Sequence, residues 1–474
     1  GLVRREVTRV VTAGTVLDLQ MLDEQSYNYL LCLVATEDIV GLAACDITTG
    51  DFLCTQVPTG ARVLEEIYRF RPSEILVCGE DAPWTTALVA QARSTSIGAV
   101  VERELAGDDR ALLMRQFHWK TLEESGLEPH PQALGAVMGL LNYLMETTRS
   151  QSLSLVAPRF YSLADHMVLD TTSLRNLELV ETLIGRERKG SLLWAMDHTV
   201  TSMGARLLRQ WMTRPLLDID EIHERSLSVK ALCEDYYLCG QIRQALHPVK
   251  DIERLLSRVI YQSANARDLH ALHRSLSVLP AAPHGATPGL TDYLEGLAPQ
   301  TFHQLRAELA VDPTLLDILA RAIADEPPQT LREGGMIRAG YHTGLDELRT
   351  ARSSAKSWIA QLEEREREAS GIRNLKVGYN QVFGYYLEVT RSQQKSVPPH
   401  YIRKQTLANA ERYFTPELKE IETKVLGAEE KIRDLEYELF VELRERVAAQ
   451  AEELRQAARA VAQLDLYAGL AEGA

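Results

Sequence analysis

Leu375-Lys-Val-Gly-Tyr-Asn-Gln-Val-Phe-Gly-Tyr-Tyr-Leu-Glu-Val-Thr390, continuing to Arg403-Lys-Gln-Thr-Leu-Ala-Asn-Ala-Glu-Arg-Tyr413, decides how this chain is read. Leu375, Val377 and Tyr379 alternate with polar neighbours, and so do Tyr385, Leu387 and Val389; that is the period of a strand. Asn380–Gly384 between them is turn-like. Helical patterns flank the stretch on both sides, so the spacing predicts a small β-tip carried on a pair of helices. Over residues 372–412 there are seven basic side chains (Arg373, Lys376, Arg391, Lys395, Arg403, Lys404, Arg412) and two acidic ones (Glu388, Glu411). The tip is therefore +5 on a chain of −14, leaving −19 on the remainder. An acidic chain that gathers positive charge in one small element presents that element to something anionic. Interleaved Tyr, Asn, Gln and Thr can donate to phosphate oxygens as well.

Outward from the tip, the arms come next. Leu345, Leu348, Ala351, Ala355, Ile359 and Leu362 mark an apolar seam before it. After it, Thr415-Pro416-Glu417 supplies a capping hydroxyl, a proline at the first helical position and an acid in the first turn. Apolar residues then recur every three or four positions from Leu418 to Leu464. This predicts one very long helix in coiled-coil-like contact with the first arm.

The chain's 474 residues are too many for a single core. No apolar run is long enough to span a bilayer, and the start Gly-Leu-Val-Arg-Arg lacks a signal-peptide stretch. The six cysteines form no C-x-x-C pair and read as reduced, mostly buried thiols. Residues 1–125 read as α/β. Tyr29–Ala35, Val40–Asp46 and Asp51–Gln56 are β-rich, Ala61–Phe70 is helical, and Glu74–Val77 is again a strand. This unit is expected to fold alone. From about 128 the pattern is helical, as in Pro131–Thr148, Leu192–Met212 and Asp251–Tyr261. Gly185-Arg-Glu-Arg-Lys-Gly190 reads as a glycine-bounded linker and Pro280–Pro288 as a loop.

Candidate chemistry is sparse. Asp46, in Asp46-Ile-Thr-Thr-Gly50, suggests a metal-dependent nuclease, but such chemistry needs several converging carboxylates, and a turn role is preferred. Asp165-His166 and Asp197-His198 lack a placed nucleophile and read as structural. His400 is open to a loop role or a phosphate contact, and Trp194 and Trp211 read as core. No catalytic or metal-binding residue is assigned.

These residues resemble the MutS family of DNA mismatch-recognition proteins. Leu375-Lys-Val-Gly-Tyr-Asn, Gly384-Tyr-Tyr, Arg403-Lys-Gln-Thr-Leu, Asn409-Ala-Glu-Arg-Tyr413 and Pro416-Glu-Leu-Lys-Glu420 look like its clamp. Ser191-Leu-Leu, Asp197-His-Thr-Val-Thr201, Met203-Gly204, Leu207-Leu-Arg-Gln-Trp211, Arg214-Pro215, Arg175-Asn-Leu-Glu178 and Asp251-Ile-Glu-Arg-Leu255 resemble its core. Asn28-Tyr-Leu-Leu31 and Asp46–Gly50 resemble its connector. The resemblance implies a multidomain α+β chain: a ribonuclease-H-like α/β connector (1–125), a mainly helical core (126–344), an ascending lever helix (345–374), a β clamp (375–414) and a descending lever helix (415–474).

The function so implied is DNA mismatch repair, with a scaffold that clamps duplex DNA non-specifically through its backbone and relays to an ATPase. The candidate DNA-backbone residues are Lys376, Asn380, Arg391, Lys395, Arg403, Lys404, Gln405, Thr406, Asn409 and Arg412. A MutL-like partner on the connector, homodimerisation of the full-length protein, and a bacterial cytoplasmic location at the nucleoid are also implied. The family's mismatch-reading domain, with its Phe-x-Glu wedge, is expected before Gly1, and its ATPase after Ala474. No G-x-x-x-x-G-K-[ST] occurs, so ATP and Mg²⁺ are expected only in the full-length protein, and this span is expected to be no enzyme. The alternatives are a nuclease in the connector, or a natural homologue lacking the mismatch-reading domain, like the meiotic relatives.

Overall fold

The computed structural model describes residues 10–78, 98–103, 110–149, 153–281, 287–380 and 384–474. They fall into two compact units. The first comprises residues 1–264, 271–317 and 444–474; the second comprises 265–270 and 318–443.

The first unit is built on a six-stranded sheet in the order β5-β4-β1-β2-β3-β6. Its strands are β1 (Leu30–Ala35), β2 (Ile39–Cys45), β3 (Phe52–Pro58), β4 (Glu74–Cys78), β5 (Ala99–Arg103) and β6 (Arg159–Phe160). β1, β2 and β3 form the antiparallel meander that the sequence predicts, and β4 joins β1 in parallel register. The near-continuous apolar run of β1 follows from burial on both faces. Leu31, Leu33 and Leu42 pack towards α1 (Ala61–Phe70), whose Val63, Ile67 and Phe70 close that layer. Leu30, Cys32, Val34 and Ala43 pack towards α2 (Pro131–Thr148), through Ala133, Val137, Leu140 and Leu144. Gly41 lets α2 press onto β2: a Cβ there would lie 1.8 Å from the Gln132 carbonyl oxygen.

This layering corrects the boundary near 125. The helix over 131–148 has helical spacing, but its apolar face covers the sheet, and β6 pairs with β3. The α/β layer therefore runs to Phe160, and residues 1–125 alone would lack the helix that covers much of one face of the sheet. All six cysteines are free, with Cys233 exposed and the others buried.

The helical part of the first unit includes α3 (Ser202–Thr213), α4 (Ile252–Ile260) and the C-terminal helix Ala451–Glu472. Leu208 of α3 and Leu466 of the C-terminal helix make a small core with Leu193 of the short helix Leu192–Met196. Asp465 pins the start of α3: its carboxylate accepts from Val200 N (2.9 Å), Thr201 N (2.8 Å) and Thr201 Oγ1 (2.6 Å). Burial raises this carboxyl to about 6, although these hydrogen bonds oppose the rise. Arg206 of α3 is wholly buried. It holds Asp251 in a fork (2.6 and 2.9 Å), Glu253 (2.7 Å) and the Glu24 carbonyl (2.9 Å). Arg254 donates to the carbonyls of Asp23 (3.0 Å) and Ser26 (2.8 Å). Core helices thus hold the loop that leads into β1.

The second unit contains α5 (Thr343–Ser370), a four-stranded antiparallel sheet and most of α6 (Pro416–Ala449). Arg349–Glu436, Lys356–Glu429 and Arg365–Glu417 pair α5 with α6. Partner numbers fall on one helix as they rise on the other, so the two run antiparallel. Glu436 also accepts from Met336 N (3.1 Å), which ties residues 335–336, read from sequence as core, into this unit. The long returning helix is not continuous: it stops at Ala449, and Gln450 (φ −103°, ψ 18°) separates it from α7 (Ala451–Glu472).

Candidate nucleic-acid interface

The four strands of the second unit are β7 (Lys376–Asn380), β8 (Gly384–Thr390), β9 (Ile402–Thr406) and β10 (Ala410–Phe414), in the order β7-β8-β10-β9. Residues 381–383 of the expected turn lie outside the described residues. One face carries Val377, Leu387, Val389 and Tyr413. It packs on Ile359 and Leu362 of α5 and on Leu418, Ile421 and Val425 of α6. Alternation sends the next residues to the other face. There Lys376 opposes Glu388, Glu388 opposes Arg412, and Arg412 opposes Gln405 in one cross-strand row. A register shift between Arg412 and Tyr413 leaves Lys404 without an opposite residue. A 3-10 turn, Arg391–Ser396, links β8 to the β9 side of the sheet and carries exposed Arg391 and Lys395.

The ten candidate residues all belong to this sheet and its turns, but their side chains have different commitments. Arg412 is largely consumed: Nε donates to Glu388 (3.1 Å), a second nitrogen donates to Gln405 Oε1 (3.0 Å), and the guanidinium lies 4.0 Å from the centre of the Tyr386 ring. Arg403 is 63% exposed at its side chain and 3.6 Å from Glu411. The Tyr413 hydroxyl donates to Glu411 and holds that carboxyl below its usual range, with Gln394 and Arg403 adding to the effect. The Lys404 ammonium sits over the Phe414 ring at 5.4 Å. Thr406 is exposed opposite Glu411, Asn380 closes the β7–β8 ladder opposite Gly384, and the Asn409 carbonyl accepts from Arg391 N (3.2 Å). Lys376, Arg391 and Lys395 are exposed, with no ion-pair partner among the described residues. Exposed Arg373 shares that property, although it is not among the ten candidate residues.

Other sequence candidates resolve as structure. His400 lies 3.5 Å from Glu366, which also accepts from the Tyr401 hydroxyl (3.0 Å). Asp46 is fully buried, and its oxygens accept from Asn28 N (2.8 Å), Thr48 N (2.8 Å) and Thr48 Oγ1 (2.6 Å). Asp165 accepts from Ser162 N (3.2 Å) and Asp197 from Thr199 N (3.0 Å), so the carboxylate of each Asp-His pair serves as a local cap. Trp211 is half-buried, with Arg225 stacked on it at 3.4 Å. Trp194 is 50% exposed, contrary to the core reading. It lies on the outer side of a single short helix, Leu192–Met196, which buries Leu193 instead. Among the described residues no group of three or more His, Cys, Asp or Glu side chains could hold a metal ion, and no helix is long and apolar enough to cross a membrane.

Family comparisons now bear on this geometry. Residues 172–471 match the family model described as MutS domain III, and residues 28–157 match MutS domain II. The chain belongs to the MutS family. The "DNA mismatch repair protein MutS" of Ruminiclostridium cellulolyticum is 42% identical over 479 residues, covering all of this chain and 54% of that protein. The protein of the same name from Symbiobacterium thermophilum is 44% identical, with the same coverage, and that of Lachnoclostridium phytofermentans is 41% identical over 99% of this chain and 50% of its own length. The chain spans about half the length of the curated MutS relatives it matches. The domain II match ends at 157, close to where β6 closes the α/β sheet.

Proposed function

We propose that this chain is the connector, core and clamp portion of a DNA mismatch-repair protein, and that its own contribution is a sequence-blind grip on the duplex backbone. One observation carries the reading: in an acidic chain, a small antiparallel sheet and its 3-10 turn expose Lys376, Arg391 and Lys395, none of which has an ion-pair partner among the described residues. Phosphate contacts position a protein on DNA without reading base sequence. The printed name of the MutS relatives supports mismatch repair as the setting. On the same family basis, the α/β unit carries the surface for a MutL-like partner, ATP with Mg²⁺ acts in the full-length protein, and that protein works as a cytoplasmic homodimer. The portion in hand acts as a scaffold and not as an enzyme. A nuclease centred on Asp46 is the weaker reading, because its carboxylate already accepts from two donors of Thr48 in its own loop and from Asn28 N.

The test is fluorescence anisotropy with a labelled homoduplex and the same duplex carrying one mismatch. Binding is expected in the non-specific range, about 10⁻⁴–10⁻⁶ M, and equal for the two. A tenfold preference for the mismatch would overturn the sequence-blind assignment.

A further inference from the structure

The first unit holds a second concentration of positive charge, which the DNA reading does not use. A cavity of about 350 Å³ lies among the loop before β1, the end of α1 and the outer turns of α3. Its walls include Arg69, Arg71, Arg206, Arg209 and Arg214, against a single lining carboxylate, Asp23.

Three of these guanidiniums are neutralised from behind. Arg69 pairs with Glu66, Arg71 grips Glu181 through both nitrogens (2.6 and 2.9 Å), and Arg206 is held by Asp251 and Glu253. The other two have no ion-pair partner among the described residues. Arg209 donates to Ser26 Oγ (3.0 Å), and Arg214 lies over the rings of Phe70 (4.7 Å) and Tyr161 (5.2 Å). Asp23, whose oxygens accept from Ser26 Oγ (2.7 Å) and Gln25 N (3.0 Å), brings one negative charge against two guanidiniums. Burial lowers the Arg209 guanidinium to about 10, and the neighbouring Arg71 lowers it further while Asp23 opposes. Arg71 itself holds a left-handed backbone (φ 48°) at the end of α1, a conformation disfavoured for a residue with a Cβ and one that clusters at ligand sites.

A buried surplus of guanidinium is costly unless an anion answers it. Two planar forks match the oxygens of a phosphoryl group, and the cavity's volume is at the small end of ligand sites. We propose that this cavity binds a compact multivalent oxyanion of the phosphate or diphosphate class, held chiefly by Arg209 and Arg214. Because both arginines belong to or directly follow α3, while Asp23–Tyr29 leads into β1, the anion would join the α/β layer to the helical core within this unit. The site is independent of the grip on DNA.

Isothermal titration of the 474-residue chain with inorganic diphosphate, inorganic phosphate and ADP, at ionic strength fixed with sodium chloride, tests this. Saturable binding of diphosphate is expected, with a thermal midpoint that rises with its concentration and not with chloride. Arg209→Gln should weaken binding by about tenfold or more, the loss of a charge-assisted fork, and so should Arg214→Gln. Asp23→Asn should tighten it. This variant removes a repulsive charge and keeps the proposal testable if Arg214→Gln fails to fold. Weaker binding of ADP than of diphosphate assigns the free anion; equal or tighter ADP extends the site to a nucleotide's diphosphate. Absence of saturable heat from folded protein, or unchanged affinity in both Arg209→Gln and Asp23→Asn, would overturn the proposal.

Discussion

Arg206 in the first unit and Lys376, Arg391 and Lys395 in the second carry the same charge in opposite circumstances. Arg206 is removed from water, and its polar contacts run to Asp251, Glu253 and the Glu24 carbonyl. Lys376, on the outer face of a sheet whose other face is occupied by α5 and α6, and Arg391 and Lys395, on its 3-10 turn, stand in solvent. A buried cation with its counter-charges fixed is bound to the fold, and exchanging it changes stability. An exposed cation without a counter-charge contributes little to stability and is available to an external anion. Counting positive charge along the sequence treats the two alike; partners and burial separate them.

The largest effect is expected at Arg206. Arg206→Met strands Asp251 and Glu253 in the interior, and breaking such a pair costs about 3–5 kcal/mol. Denaturant unfolding of the first unit, followed by tryptophan fluorescence, should show a loss of that size, with the salt dependence of DNA binding unchanged. A loss below about 1 kcal/mol, the range of surface pairs, would remove the contrast.

Asp465 gives the next largest effect, and it depends on pH. Its folded-state pKa, about 6, lies above the ordinary carboxyl value, so the folded chain holds a proton there that the unfolded chain releases. The associated stability is complete below the ordinary carboxylate range and is lost as pH rises through about 6. A shift of about two units corresponds to about 3 kcal/mol. Measured from pH 4 to 7, the parent should lose that much stability relative to Asp465→Asn. A difference that is flat or of opposite sign would show that hydrogen bonds from Val200 and Thr201, not burial, govern this group.

Within the tip, Arg412 is committed to the fold as Arg206 is in the first unit. It is basic and lies in the tip's own sequence, yet it is tied to Glu388, Gln405 and Tyr386. Arg412→Lys should weaken the β8–β10 pairing by about 1 kcal/mol, seen as faster amide exchange there, and leave the salt slope of DNA binding where it was. A lower slope would return Arg412 to the set of DNA contacts.

Much of this fold can be read from sequence. β1 to β4 and α1 fall within a residue or two of the expected runs, because apolar alternation and turn residues are local signals. The layer boundary is not local. The spacing in 131–148 announces a helix but not the surface it covers, and only the sheet pairing of Arg159–Phe160 places the limit. The break at Gln450 has no proline or glycine to mark it. In the candidate site, the sequence announces a small β element where the strands lie but cannot sort its arginines, since Glu388 lies 24 residues from Arg412 in the chain and becomes its neighbour only through antiparallel pairing. Arg206 and Arg254 look like the polar side of amphipathic helices, and nothing near them in sequence announces the carbonyls of Asp23, Glu24 and Ser26 that receive them.

We propose that phosphate is gripped by exposed cations of the second-unit sheet and its 3-10 turn that have no ion-pair partner among the described residues. The direct measurement is a salt titration of duplex binding for the parent and for Lys376→Gln combined with Arg391→Gln and Lys395→Gln. Each phosphate contact adds about 0.9 to the slope of log affinity against log salt. The triple variant should bind more weakly at every salt concentration, with a slope shallower by up to about 2.7, equally for matched and mismatched duplexes. A triple variant that keeps the parent's slope and affinity would contradict the account and place the DNA contacts elsewhere on the chain.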